Sequence, residues 1–122
     1  MSPPQAAESI RYIVEGGHRL SGSIEPSGNK NAALPIIAAA LLTDQPVRLS
    51  NVPRIRDTET LVDLIRSVGA ETSWESANEL VIHARDLRAA DLDPELCARI
   101  RASILLAGPM LARCGSLVLP PR

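Results

Sequence analysis

The chain has 122 residues, 45% of them hydrophobic and 22% charged, and its 13 Lys plus Arg against 14 Asp plus Glu leave a formal net charge of -1. This length supports one ordinary soluble domain at most; the hydrophobic share argues against disorder, and no apolar run reaches the ~20 residues of a membrane span. Balanced charge, with one Tyr, one Trp and no Phe, disfavours nucleic-acid binding and leaves a small molecule as the expected partner. The two cysteines, Cys97 and Cys114, and the two histidines, His18 and His83, are scattered, so neither a disulfide framework nor a zinc site is indicated. The first residues carry an acid, and no basic stretch precedes an apolar one; no secretory signal is read there, and a cytoplasmic protein is expected.

Residues 1–9, rich in Pro and Ala, read as a disordered end. Tyr12-Ile13-Val14 and Leu20 to Ile24 flank Gly16-Gly17, which predicts a hairpin. Pro26-Ser27-Gly28-Asn29 is a loop cluster, followed by an Ala- and Leu-rich helix from Asn31 to Leu42, apolar nearly all round and hence buried, with Pro35 expected in its first turn. Val47, Leu49 and Val52 predict a strand over 46–52 that Pro53 ends. Asp57 is expected to cap a helix that runs to about Val68, with Leu61, Leu64, Ile65 and Val68 on one face and Gly69 as its stop.

Thr72 to Trp74 and Leu80 to Arg85 fit a second hairpin around Ser76-Ala77-Asn78. A longer helix is predicted from Asp93, with Pro94 at its first position, to about Ala107, where Gly108-Pro109 interrupts it; Ser116 to Leu119 is the last predicted strand. The mixture of helices and hairpins predicts an α/β or α+β arrangement, a sheet with helices packed against it.

Of the 13 basic residues, 12 are Arg and one, Lys30, is Lys. It lies in Ser27-Gly28-Asn29-Lys30-Asn31, between a strand and a buried helix. Gly28 lets backbone approach a ligand, the helix start offers free N–H groups, and Lys30 adds a full positive charge; these are the parts of an anion cradle. A plain turn and helix cap with a solvated Lys fits the same pattern. The spacing is not that of a Walker A loop, so nucleotide hydrolysis is disfavoured.

Arg101 is the second candidate, since Cys97, Ile104 and Leu105 at helical spacing surround it with apolar groups. It either snorkels or is held toward an anion. Arg99, about 160° round the same helix, fits the solvated side. Asp57 reads as a cap, Glu59 and Asp63 as surface charge, and His83 as a polar-face residue. Cys97 and Cys114 read as small buried hydrophobes with no local base.

Ser27-Gly28-Asn29-Lys30-Asn31-Ala32-Ala33-Leu34-Pro35 resembles the enolpyruvyl transferases, and among them the branch that acts on UDP-N-acetylglucosamine at the opening of peptidoglycan precursor synthesis. The likeness continues in order through Leu49-Ser50-Asn51-Val52-Pro53, Asp57-Thr58, Leu64, Gly69-Ala70, Arg101-Ala102-Ser103-Ile104, Gly108 to Arg113 and Leu119-Pro120. It implies that Lys30 and Asn31 contact phosphoenolpyruvate at an interdomain cleft and that Arg101 helps to bind UDP-N-acetylglucosamine. The implied reaction adds the sugar 3-hydroxyl to C2 of phosphoenolpyruvate and then expels phosphate, with no metal or organic cofactor.

The resemblance further implies two inside-out α/β barrels built from repeated units. Residues 10–29 would be edge strands of one domain and 30–122 the first part of the other, so the barrel is incomplete. Family members are longer, and the Gly-rich loop with a Cys or Asp general acid follows the Leu-Pro that aligns with Leu119-Pro120, beyond Arg122; Cys114 is not that residue. No catalytic acid or base is therefore expected in these residues, and the chain alone is expected not to turn over. It would be a non-catalytic fragment or pair with a separate C-terminal piece. The related 5-enolpyruvylshikimate-3-phosphate synthases match less well, because Ser typically follows their Lys where Asn31 stands here.

Overall fold

A computed structural model describes residues 9–88 and 92–120. The expectation for residues 1–8 lies outside the described residues. The mixed architecture predicted from sequence is present: a three-stranded antiparallel sheet, ordered β1-β3-β2, with helices packed against it.

Helix α1 spans Lys30–Ala39 and tightens into a 3-10 turn over Ala40–Leu42. Asn29 caps it, its side-chain oxygen accepting from the Asn31 N–H at 2.7 Å. Ala33, Leu34, Ile37, Ala38 and Leu41 are buried, so the helix is held by its apolar inner face. Pro35 is its sixth residue and lies beyond the expected first turn. There its ring nitrogen withholds one ladder bond on an exposed face, and the helix continues.

Strand β1, Pro46–Leu49, is shorter than predicted. Asn51 turns the chain with φ of 53°, which takes Val52 out of the strand but leaves it buried. Helix α2, Arg56–Ser67, buries Leu61, Leu64 and Ile65, with Val68 just after it, as the amphipathic spacing requires. Its start differs from expectation, since Asp57 is its second residue and no cap. Thr58 takes over that role: its buried hydroxyl accepts from the Ile55 N–H at 3.1 Å and donates to the Pro53 carbonyl at 2.6 Å. Gly69, with φ of 109°, ends the helix as predicted.

Strands β2, Glu71–Ser76, and β3, Glu79–His83, form the predicted second hairpin, and β3 pairs on its other edge with β1, Leu49 facing Leu80. Leu80 and Ile82 turn into the core, while Val81 and His83, which alternate with them, are half-buried.

The predicted long third helix is three segments: α3, Pro94–Arg99, a 3-10 helix, Arg101–Leu106, and α4, Ala107–Cys114. Asp93 caps α3 and Pro94 is its first residue, as expected. The break falls at Ile100, which is extended at φ -138° and ψ 141°. Ile100 is buried at the break, and within the 3-10 helix the buried residues Ser103 and Leu106, three apart, share one face. Gly108-Pro109 opens α4 rather than ending a helix, because Pro is tolerated in a first turn.

Two further expectations fail. Residues 12–24 form no hairpin: Tyr12, Ile13, Val14, Leu20 and Ile24 are more than four-fifths exposed, and two strands with nothing to pack on are marginal in water. The last predicted strand reduces to one bridge residue, Val118.

Candidate functional site

The loop that carries the single lysine is shaped by a close approach of two backbones. A β-carbon on Gly28 would fall on the Asn51 carbonyl oxygen and 2.8 Å from Pro53 Cδ, so only glycine lets this loop seat against Ser50–Pro53. Asn51 also reaches back, its Nδ2 donating to the Pro26 carbonyl at 3.5 Å. The second loop is fixed from below by the hairpin turn: Val52 N–H donates to the Asn78 carbonyl at 2.8 Å, and Asn78 Nδ2 donates to the Val52 carbonyl, also at 2.8 Å. Hairpin, loop and loop thus set the start of α1 in sequence.

Lys30 and Asn31 are the first two residues of α1, and both are exposed. Lys30 Nζ lies 3.2 Å from Asp57 Oδ2 at the start of α2, with the two side chains 47% and 32% exposed. A pair this wet adds little to stability, so its consequence is geometric. Two helix N-termini, each with positive dipole character, flank one ammonium and one carboxylate. Beside them Arg54 bonds Glu59 at 3.0 Å and covers the Trp74 ring at 4.6 Å, which keeps that guanidinium occupied elsewhere.

Arg101 stands apart from the lysine loop. It opens the 3-10 helix, and that helix packs against α1. With Pro94, Cys97, Ser103, Leu119 and Pro120 it lines a 380 Å³ cavity whose wall does not include Lys30 or Asn31. The α-helical spacing used to surround Arg101 fails at Ile100, and Ile104 is 55% exposed; the arginine is itself exposed and borders a concave, largely apolar wall. Ser103 is buried in that wall, its hydroxyl donating to the Ile100 carbonyl at 3.4 Å.

The remaining candidates keep ordinary roles. Cys97 is buried and Cys114 half-buried, neither in a disulfide. His83 Nε2 meets the Asp44 carbonyl at 3.0 Å, tying β3 to the turn before β1. In the sheet, Glu79 bonds Arg48 and holds its guanidinium above the ordinary arginine value. Among the described residues no cluster of His, Cys, Asp and Glu is arranged to hold a metal, and no helix is long and apolar enough to cross a membrane. Sequence reasoning missed the tie between Asp57 and Lys30, which are 27 positions apart with no periodic pattern to link them.

The sequence profile of the EPSP synthase (3-phosphoshikimate 1-carboxyvinyltransferase) family matches residues 14–120. The chain is 80% identical over 112 residues to the UDP-N-acetylglucosamine 1-carboxyvinyltransferase of Bradyrhizobium diazoefficiens, covering 92% of this chain and 26% of that protein. It is 46% identical over 110 residues to the protein of the same name from Treponema pallidum, again covering 26% of the relative. The chain thus spans about a quarter of the length of the curated relatives it matches. Among solved structures, the enolpyruvyl transferase NikO from Streptomyces tendae superposes with a TM-score of 0.67 at 33% identity, over 80% of this chain and 23% of that one. A profile match across nearly the whole chain, close relatives and a shared fold agree: the chain belongs to the enolpyruvyl transferase family.

Proposed function

We propose that this chain supplies part of the substrate cleft of an enzyme that transfers the enolpyruvyl group of phosphoenolpyruvate to the 3-hydroxyl of UDP-N-acetylglucosamine, releasing phosphate. The observation that carries the reading is the 80% identity to a UDP-N-acetylglucosamine 1-carboxyvinyltransferase. Lys30 neutralises the phosphate or carboxylate of phosphoenolpyruvate, and the Asn31 amide hydrogen-bonds the sugar or the tetrahedral adduct formed when the hydroxyl adds to C2. Loss of phosphate from that adduct restores the double bond. Arg101 binds the UDP-sugar; its place on the wall of a largely apolar cavity suits a group that holds a bulky second substrate.

The same reading puts the protein in the cytoplasm, at the first committed step of peptidoglycan precursor synthesis. It also makes residues 10–29 edge strands of one domain and 30–122 the first part of another. The exposure of Tyr12, Ile13, Val14, Leu20 and Ile24 supports this division, since such residues are buried when a strand joins a sheet.

Titration of the purified chain with UDP-N-acetylglucosamine and, separately, shikimate 3-phosphate tests the substrate assignment. Saturable binding of the UDP-sugar that weakens about tenfold or more in Arg101→Ala is expected, the scale of one lost charge-assisted contact. Preference for shikimate 3-phosphate would overturn it.

A further inference from the structure

A lone lysine on a four-carbon stem is a poor anion receptor unless something fixes its ammonium, because the rotamer freedom it gives up on binding opposes its attraction for the anion. The structure supplies such a group. Lys30 Nζ is 3.2 Å from Asp57 Oδ2, and the two residues stand at the starts of different helices, α1 and α2. Both backbones are restrained. Asn29 caps α1, Gly28 is seated against Asn51, and Thr58, next to Asp57, ties the α2 start to Pro53 and Ile55. The backbone that carries Asp57 is thus held, and its side chain is short, so the more flexible partner is the lysine on its four-carbon stem.

We infer that Asp57 is a positioning residue: it holds one N–H of the Lys30 ammonium and so aims the other two at the incoming anion. An ammonium has three donors in tetrahedral array, so one carboxylate can anchor it without occupying it. The inference rests on the reading of Lys30 as an anion-binding group and assigns its partner a task beyond that reading. Asp57 is read from sequence as a helix cap; its absence from that role, taken by Thr58, leaves its carboxylate for the lysine.

Charge and position have to be separated in the test, since any neutral substitution at Asp57 also removes a negative charge that repels the ligand. Asp57→Asn and Asp57→Ala remove the same charge, but only Asn keeps an oxygen that can accept from the ammonium. Lys30 is the only lysine of the chain, so its 15N-ammonium NMR signal is unique and reports how firmly the group is held.

The expected result is a protected, ordered ammonium signal in the wild type and in Asp57→Asn that is lost to exchange in Asp57→Ala. Phosphoenolpyruvate should bind Asp57→Ala about threefold to tenfold more weakly than Asp57→Asn, the scale of ordering one long side chain. Equal affinity in the two variants, or a wild-type ammonium as mobile as that of Asp57→Ala, would overturn the inference. The ammonium signal is read without ligand, so a wild type that does not bind phosphoenolpyruvate counts against the transferase reading, and the comparison of ammonium signals still decides the role of Asp57. Should Asp57→Ala fail to fold, Asp57→Ser, too short to reach the ammonium, takes its place.

Discussion

The Asn51 carbonyl oxygen occupies the space that a β-carbon on Gly28 would need. Gly28→Ala therefore has to push the lysine loop away from Ser50–Pro53, while the sheet and the inner faces of the helices lie elsewhere. The expected effect is local: amide exchange over residues 29–33 quickens, and the amides of Leu80 and Ile82 keep their protection. Hydrogen exchange read residue by residue checks this, and uniform loss of protection would show that the loop contact is part of the global fold.

Asn78 works one layer below. Its carbonyl and its side-chain amide hold the two sides of Val52, each at 2.8 Å, and Val52 is buried. Asn78→Ala keeps the backbone bond and deletes the side-chain one. A loss of about 1–2 kcal/mol in urea unfolding is expected, the cost of leaving one half-buried carbonyl without its donor.

Arg113 braces α4. Its guanidinium donates to the carbonyls of Leu41 at 2.8 Å, Thr43 at 3.1 Å, Ala84 at 2.9 Å and Arg85 at 3.3 Å, joining α4 to the segment before β1 and the segment after β3. Lysine carries the charge but cannot span two segments with a planar fork. Arg113→Lys should cost about 2 kcal/mol and Arg113→Ala more, measured by denaturant midpoints at unchanged m-value.

How much of this was legible in the sequence follows from the range of the interactions. Leu61, Leu64, Ile65 and Val68 with Gly69 give α2 away because spacing and stop are both local, and the hairpin around Ala77-Asn78 is local too. Residues 12–24 carry the same local signals and form no hairpin, because a strand needs a sheet to join and the pattern does not say where one is. Cys97 and Ile104, placed beside Arg101 by α-helical spacing, do share a cavity wall with it, but the break at Ile100 and the 3-10 helix after it are not marked by any local signal in the sequence. Lys30 and Asn31 were legible as a pair at a helix start; Asp57 beside them was not, since only the packing of α1 on α2 brings it there.

Whether Lys30 and its loop receive phosphoenolpyruvate is decided by titrating the 15N-labelled chain with that anion, wild type against Lys30→Ala. Saturable shifts centred on the amides of Gly28 to Asn31 are expected, with binding weakened about tenfold or more in Lys30→Ala, the scale of a lost hydrogen-bonded charge. Shifts elsewhere, or equal binding by the two proteins, would contradict the assignment.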